Sequence, residues 1–228
     1  MKKLLLASSS PYRRALLERL ELPFESASPS LDETPLAHEG GATLVERLSR
    51  CKAEVLASEY PGYIIIGSDQ VATLDGAILT KPGDHTNAVQ QLTACSGRQV
   101  RFHTGLCVYD PSRQQQQFCN VPTDVRFRRL SEQQIHYYIK QEQPYDCAGS
   151  FKCEGLGISL FESVVADDPT ALIGLPLIKL TEMLIQLGVD PLTGKAKWRT
   201  PQEIKNQFSS ASICGNNRVV FNVGGNKY

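Results

Sequence analysis

Three carboxylates are the first residues whose types and placing suggest chemistry. Asp32 and Glu33 share the turn LDETP, and Asp69 follows the apolar run YIIIGS, at the carboxyl end of a predicted strand, where open α/β sheets place ligands. Hard oxygen ligands separated in sequence suit Mg²⁺ or Mn²⁺, with water and substrate phosphate completing the shell. Each also has a plain structural explanation, a solvated turn for Asp32 and Glu33 and a cap for Asp69.

Donors and cations complement them. In LLLASSSPYRRALL a short apolar run gives way to serines, a proline and two arginines. The stretch reads as a strand, a turn and a helix capped by Ser10 with Pro11 in its first position, and such a helix start turns free N–H groups toward an anion. Ser8, Ser10 and Arg13 could add hydroxyl and bidentate guanidinium contacts to phosphate. The same turn is common in proteins that bind no phosphate. Lys81 follows a predicted hairpin in LTKP, and Lys152 and Glu154 lie among the glycines of DCAGSFKCEGLG, a loop where backbone can approach a ligand closely. Its passage into the apolar run ISLF suggests that it lines a cleft. No G-x-S-x-G, P-loop or dinucleotide fingerprint occurs, and the four histidines lie far from any nucleophile elbow, so metal-assisted attack by water is the better-supported chemistry.

The elements that must position these groups alternate irregularly. The spacing predicts strands at Leu4–Leu6 and Tyr63–Ile66, and helices over about 42–58, 86–94 and SEQQIHYYIKQE. SGRQVRFHTGLCVYD and CNVPTDVRFRRL read as long strands separated by the surface loop PSRQQQQ, and DPTALIGLPLIKLTEMLIQLG as a long closing helix. Asp75-Gly76 between apolar runs is a strong hairpin signal. The pattern implies an α/β or α+β chain with a mixed sheet. From about Lys195 the composition turns polar, which favours a disordered extension over 195–228 rather than an added edge strand through Val219–Val223 or a partner-binding segment.

Composition excludes several partners. The 24 basic residues balance the 24 acidic ones, so no overall field points to nucleic acid or an anionic membrane. Seven scattered cysteines without a C-x-x-C pair fit reduced thiols, and the short N-terminal apolar run falls below a signal peptide's core. A cytoplasmic protein is the expectation.

The ordered blocks LASSSPYRRALL, DET, ERLSRCKA, IIGSDQV, LTKP, SGRQV with TGL, CAGSFKCEGLG and DPTALIGLPL closely resemble the Maf family of nucleotide pyrophosphatases, over about residues 3–190. The resemblance implies a Maf-like (ITPase-like) single α/β domain, residues 1–194, with two lobes, a mixed sheet and a deep central cleft, often dimeric. It implies hydrolysis of a nucleoside triphosphate between the α and β phosphates, with a divalent cation required. On matching positions Asp69 is then the general base, Glu33 and Asp69 hold the metal, and Ser8, Ser10, Arg13, Lys52, Lys81 and Lys152 contact the triphosphate.

Tyr12, Gln70 and Glu154 occupy the positions that separate branches of the family, and their combination resembles the branch acting on 7-methylguanosine triphosphate rather than that acting on dTTP and UTP. A tyrosine face attracts the cationic methylated base, though tryptophan, the stronger partner, is usual at this place. A carboxylate at 154 suits the guanine N1–H and exocyclic amine. A non-catalytic nucleotide-binding regulator of cell division is the reading from a different class.

Overall fold

The computed structural model describes residues 2–193, 195–196, 211–214 and 218–221. Leu4–Leu6 lie in β1 (Lys3–Ala7), and Ser10 then caps α1 (Pro11–Glu18), its hydroxyl accepting from the Arg13 N–H with proline at the helix start. After β2 (Phe24–Ala27), α2 (Gly41–Glu54) keeps Leu44, Val45, Leu48 and Lys52 buried, at the spacing of one helix face. It stops at Glu54, short of the predicted 58, with Pro61 close behind.

Two long strands follow, β3 (Tyr63–Leu74) and β5 (Gln99–Asp110), with the short β4 (Ala77–Leu79) and α3 (His85–Cys95) between them. The Asp75-Gly76 turn forms as predicted: both residues have positive φ, 50° and 83°, and Leu74 pairs with Ala77 across it. The chain continues through β6 (Gln115–Phe127), α4 (Glu132–Glu142), β7 (Phe161–Ala166) and α5 (Leu177–Gln186). One seven-stranded mixed sheet results, in the order β2-β1-β3-β5-β6-β7 with β4 on β3; β1 is parallel to both neighbours and the other pairs are antiparallel.

The long strands serve two lobes. Ile64 and Ile66 of β3 and Leu106 and Val108 of β5 join Leu16, Leu17, Leu180 and Leu184 in one core, under α1 and α5. Ile65 and Cys107, on the opposite face, pack with Ala53 and Leu56. Further along the same strands, Ala72, Leu74, Val100 and Phe102 pack with Leu92 of α3 and Ile135, Tyr138 and Ile139 of α4. Between the two cores β3 carries Ser68, Asp69 and Gln70.

Helix α2 lies unusually close to β3 and β5. A Cβ on Gly67 would stand 2.2 Å from the Ser49 carbonyl oxygen, and one on Gly105 2.4 Å from Ser49 Oγ. Only glycine permits that approach.

Three expectations are corrected. Asp69 is not at a strand end: β3 runs on to Leu74, and Asp69 sits opposite Gly105. The polar residues 68–70 break the apolar run in sequence, but ladder bonds to β5 keep the backbone extended. Gln115–Gln117 are strand rather than loop; a 3₁₀ turn at Pro111–Arg113 and left-handed Gln114 (φ 51°) close the connection early. The closing helix is shorter than predicted, because Pro169, Gly174 and Pro176 hold residues 168–176 as a braced loop before Leu177. Arg218–Phe221 pairs antiparallel with Ala211–Cys214 in a ribbon separate from the main sheet. The expected disorder of 195–228 otherwise lies outside the described residues.

Gly67→Ala and Gly105→Ala are each expected to lower stability by about 1–3 kcal/mol through overpacking. Gly62→Ala, whose Cβ would meet nothing within 4 Å, serves as the control. Urea midpoints of the three variants check this.

Candidate active site

Lys52 reaches from the last turn of α2 to β3. Its ammonium donates to Asp69 Oδ1 at 2.6 Å and pairs with Glu33 Oε1 at 2.8 Å, so one buried cation joins two carboxylates far apart in sequence. Ser49, one turn earlier on the same helix, accepts from the Asp69 backbone N–H at 3.1 Å. Partial burial pushes the Glu33 carboxyl upward, but the Lys52 hydrogen bond, with the charges of Lys52, Lys81 and Arg13, outweighs it and the net shift is downward.

The Glu33 turn is itself held from α2. Arg47 forms a two-pronged pair with Glu39, through Nε and Nη2 at 2.8 Å each, and Nη2 also donates to the Thr34 carbonyl at 3.0 Å. Asp32 accepts from Thr34 N–H at 2.9 Å and shapes the turn, so of the two neighbouring acids only Glu33 lines the cleft.

The N-terminal cradle faces the same space. Ser8 Oγ accepts from Ser10 N–H at 3.1 Å and lies 3.5 Å from Arg13 Nη1; Ser10 Oγ accepts from Arg13 N–H at 3.4 Å. Both hydroxyls thus serve as acceptors and keep a proton to donate. Arg13 Nε donates to the Gly174 carbonyl at 2.8 Å, which aims the guanidinium. Burial pulls the Arg13 pKa down against the opposing pull of Asp69 and Glu33.

Every site residue singled out in the sequence, Asp32 apart, lines one cleft of about 810 Å³: Ser8, Ser10, Tyr12, Arg13, Glu33, Lys52, Asp69, Gln70, Lys81, Lys152 and Glu154. Electrostatically they form two groups. Arg13, Lys52 and Lys81 act on Glu33, whereas Tyr12 feels Lys152, Glu154 and Asp146. Lys152 belongs to the second group, its ammonium 3.3 Å from the Glu142 carbonyl oxygen and 3.6 Å from Asp146. Two carboxylates against one ammonium leave that group with a net negative charge.

Several contributors escape sequence reasoning. Thr104 is wholly buried, accepts from Gln70 Nε2 at 3.0 Å and donates to the Ala171 carbonyl at 2.9 Å. Gln70 Nε2 also donates to the carbonyls of Ala171 and Leu172, and Ser68 Oγ to that of Gly174. The loop before α5, predicted as helix, is therefore the acceptor rail for side chains of β3, β5 and α1. Only the block DPTALIGLPL signalled it, and without a role.

Residues 3–187 match the family model for Maf-like protein. The chain belongs to the Maf family. A protein of Pseudomonas aeruginosa named 7-methyl-GTP pyrophosphatase is 55% identical over 190 residues, covering 83% of this chain and 99% of the relative. Proteins of the same name from Bordetella avium and Pseudomonas syringae pv. tomato are each 57% identical, over 83% of this chain and 95% and 98% of their own lengths. Residues 192–228 match a second model, HigB toxin, the RelE-like toxic component of a toxin-antitoxin system, over a stretch too short to define the chain's family. Among the described residues no helix is long and apolar enough to cross a membrane.

A divalent ion fits the pair formed by Asp69 and Glu33, whose hard oxygens already converge on one cation. No cluster of three or more His, Cys, Asp or Glu able to hold a metal occurs among the described residues, so water and substrate oxygens would have to complete such a shell.

The Arg47 hydrogen bonds hold the Glu39 carboxyl at about 2, down from 4.5. A depressed carboxylate contributes stability above its unfolded value and loses it as pH falls through the folded one. The melting-temperature gap between the native chain and Glu39→Gln is expected to be constant above pH 4.5 and to close as pH falls toward about 2.

Proposed function

We propose that this chain hydrolyses 7-methyl-GTP to 7-methyl-GMP and pyrophosphate. The observation that carries the reading is one cleft holding a lysine-bridged carboxylate pair with cations beside it, and a separate, net acidic group around an aromatic ring. The names of the relatives support the same substrate.

In this reading the triphosphate lies along Ser8, Ser10, Arg13 and Lys81, where donors and cations meet its charge as it develops. Asp69 accepts the proton of the attacking water; the new bond forms from the water oxygen to the α phosphorus, and the bond to the bridging oxygen breaks, releasing pyrophosphate. Lys52 keeps Asp69 and Glu33 together and offsets their mutual repulsion. A divalent ion held by the two acids would supply further positive charge to the phosphate oxygens and acidify the water.

The base lies at the Tyr12 and Glu154 end. Methylation at N7 gives guanine a delocalised positive charge, which the Tyr12 face attracts by roughly 0.5–2 kcal/mol. Glu154 accepts from the N1–H and the exocyclic amine, a donor pair that a pyrimidine lacks.

Pyrophosphate release from 7-methyl-GTP, GTP, dTTP and UTP with Mg²⁺ or Mn²⁺ tests the reading. Preference for the methylated nucleotide is expected, and preference for dTTP or UTP would overturn the base assignment while keeping the Asp69 chemistry. Silence on all four would favour a regulator without turnover. Asp69→Asn is expected to abolish release while nucleotide binding, followed by calorimetry, persists. Tyr12→Ala and Glu154→Gln are expected to weaken use of 7-methyl-GTP selectively, and equal loss on every nucleotide would refute their role.

A further inference from the structure

The loop that carries Lys152 and Glu154 is held by α3 at Ser150, whose hydroxyl donates to Gln91 Oε1 at 2.6 Å, and beyond it by α4. Tyr138 and Glu142, four positions apart and so on one face of that helix, meet its two ends. Tyr138 Oη accepts from the Lys152 backbone N–H at 2.9 Å, and Glu142 Oε1 accepts from the Leu156 N–H at 2.6 Å. The Glu142 carbonyl also takes the Lys152 ammonium at 3.3 Å. Within the loop the backbone bonds are local: Gly155 N–H to the Lys152 carbonyl at 3.4 Å, and Ile158 N–H to that of Gly155 at 3.4 Å.

We propose that Tyr138 and Glu142 are positioning residues for base selection, a clamp that sets the Glu154 loop from outside the cleft. Neither residue lines the cleft, and neither was singled out by sequence reasoning. This inference rests on the base-recognition reading above.

Three observations carry it. Tyr138 is 2% exposed and fixed in the core of the second lobe, so its hydroxyl is a rigid anchor and not a surface group that happens to reach the loop. Gly155 is shaped for the clamp: a Cβ there would stand 2.6 Å from Glu142 Oε1, so a side chain would push the carboxylate off the Leu156 N–H. Gly157 is equally constrained, since its Cβ would stand 2.2 Å from the Lys152 carbonyl oxygen, and it keeps the loop folded back on itself. Glu154 is thus suspended between two anchored backbone amides, and a shift of either anchor moves its carboxylate relative to Tyr12. The phosphate-end groups on α1, α2 and β3 share none of these bonds, and the Lys81 segment is tied instead through Gly83 N–H to the Tyr145 carbonyl at 3.0 Å.

The test uses the full chain with Tyr138→Phe, which removes a single oxygen, Glu142→Ala, and Glu142→Gln, whose amide oxygen can still accept from Leu156. Losing the neutral Tyr138 hydrogen bond to the loop is worth about three- to tenfold, and losing the bond to the Glu142 carboxylate about tenfold or more. KM for 7-methyl-GTP is expected to rise by these respective factors in Tyr138→Phe and Glu142→Ala with kcat nearly unchanged, UTP turnover unaffected, and Glu142→Gln closer to the native chain than Glu142→Ala. Equal loss on both nucleotides, or no change on either, would overturn the clamp. Amide hydrogen exchange of the native chain tests the anchors even if a variant fails to fold: the Lys152 and Leu156 amides are expected to be protected, and exchange at the rate of exposed loop amides would refute the proposal. A native chain that prefers UTP would sink the substrate reading alone, because the exchange result speaks to the clamp whichever nucleotide is preferred.

Discussion

The contact between Lys52 and Asp69 is the constraint on which the site depends. A lysine and an aspartate both almost removed from water are tolerable only as a pair, and removing one partner of such a pair typically costs about 3–5 kcal/mol through the charge left behind. Their meeting requires α2 to lie almost on the sheet, which Gly67 and Gly105 allow by having no side chain at the two points of closest approach. Glu33 completes the arrangement from a turn that Arg47, on the same helix, holds in place. One helix therefore presents the cation, tethers the Asp69 backbone through Ser49 and secures the second carboxylate.

The loop 168–176 is the complementary support. Asp168 accepts from the Thr170 hydroxyl and from the N–H groups of Ile178 and Lys179, which ties the loop to the start of α5. Its carbonyls at Ala171, Leu172 and Gly174 then receive Thr104, Gln70, Ser68 and Arg13. Backbone carbonyls in a buried segment need partners, and here the side chains of the site satisfy them. The same bonds fix the orientation of Gln70 and Arg13, so stability of the loop and geometry of the cleft are one problem with one solution.

Division of the cleft into a cationic and a net acidic group follows from the two lobes. Strands β3 and β5 run through both cores, and the polar residues 68–70 fall at the crossing, where neither core claims them. The first lobe supplies α1 with the serines and Arg13; the second supplies the loop after α4 and, just beyond β4, Lys81. A nucleotide, anionic at one end and aromatic at the other, matches that division.

Local elements and the membership of the site were legible in the sequence because they depend on neighbours in the chain. Ser10-Pro11 specifies a helix start, Asp75-Gly76 a tight turn, and Leu44, Val45 and Leu48 a buried helix face, all through steric and hydrogen-bonding preferences that act over a few residues. Resemblance of the ordered blocks added Lys52, which no local pattern distinguishes from a solvated lysine. Tertiary structure decided the rest. Asp69 lies within a strand because β5 pairs with it, the apolar stretch 168–176 is a loop because its carbonyls are taken by distant side chains, and Tyr138 and Glu142 matter through bonds to a loop that follows in sequence but folds back in space. Contacts of that kind join residues with no shared local signal, and only the packed chain brings them within reach.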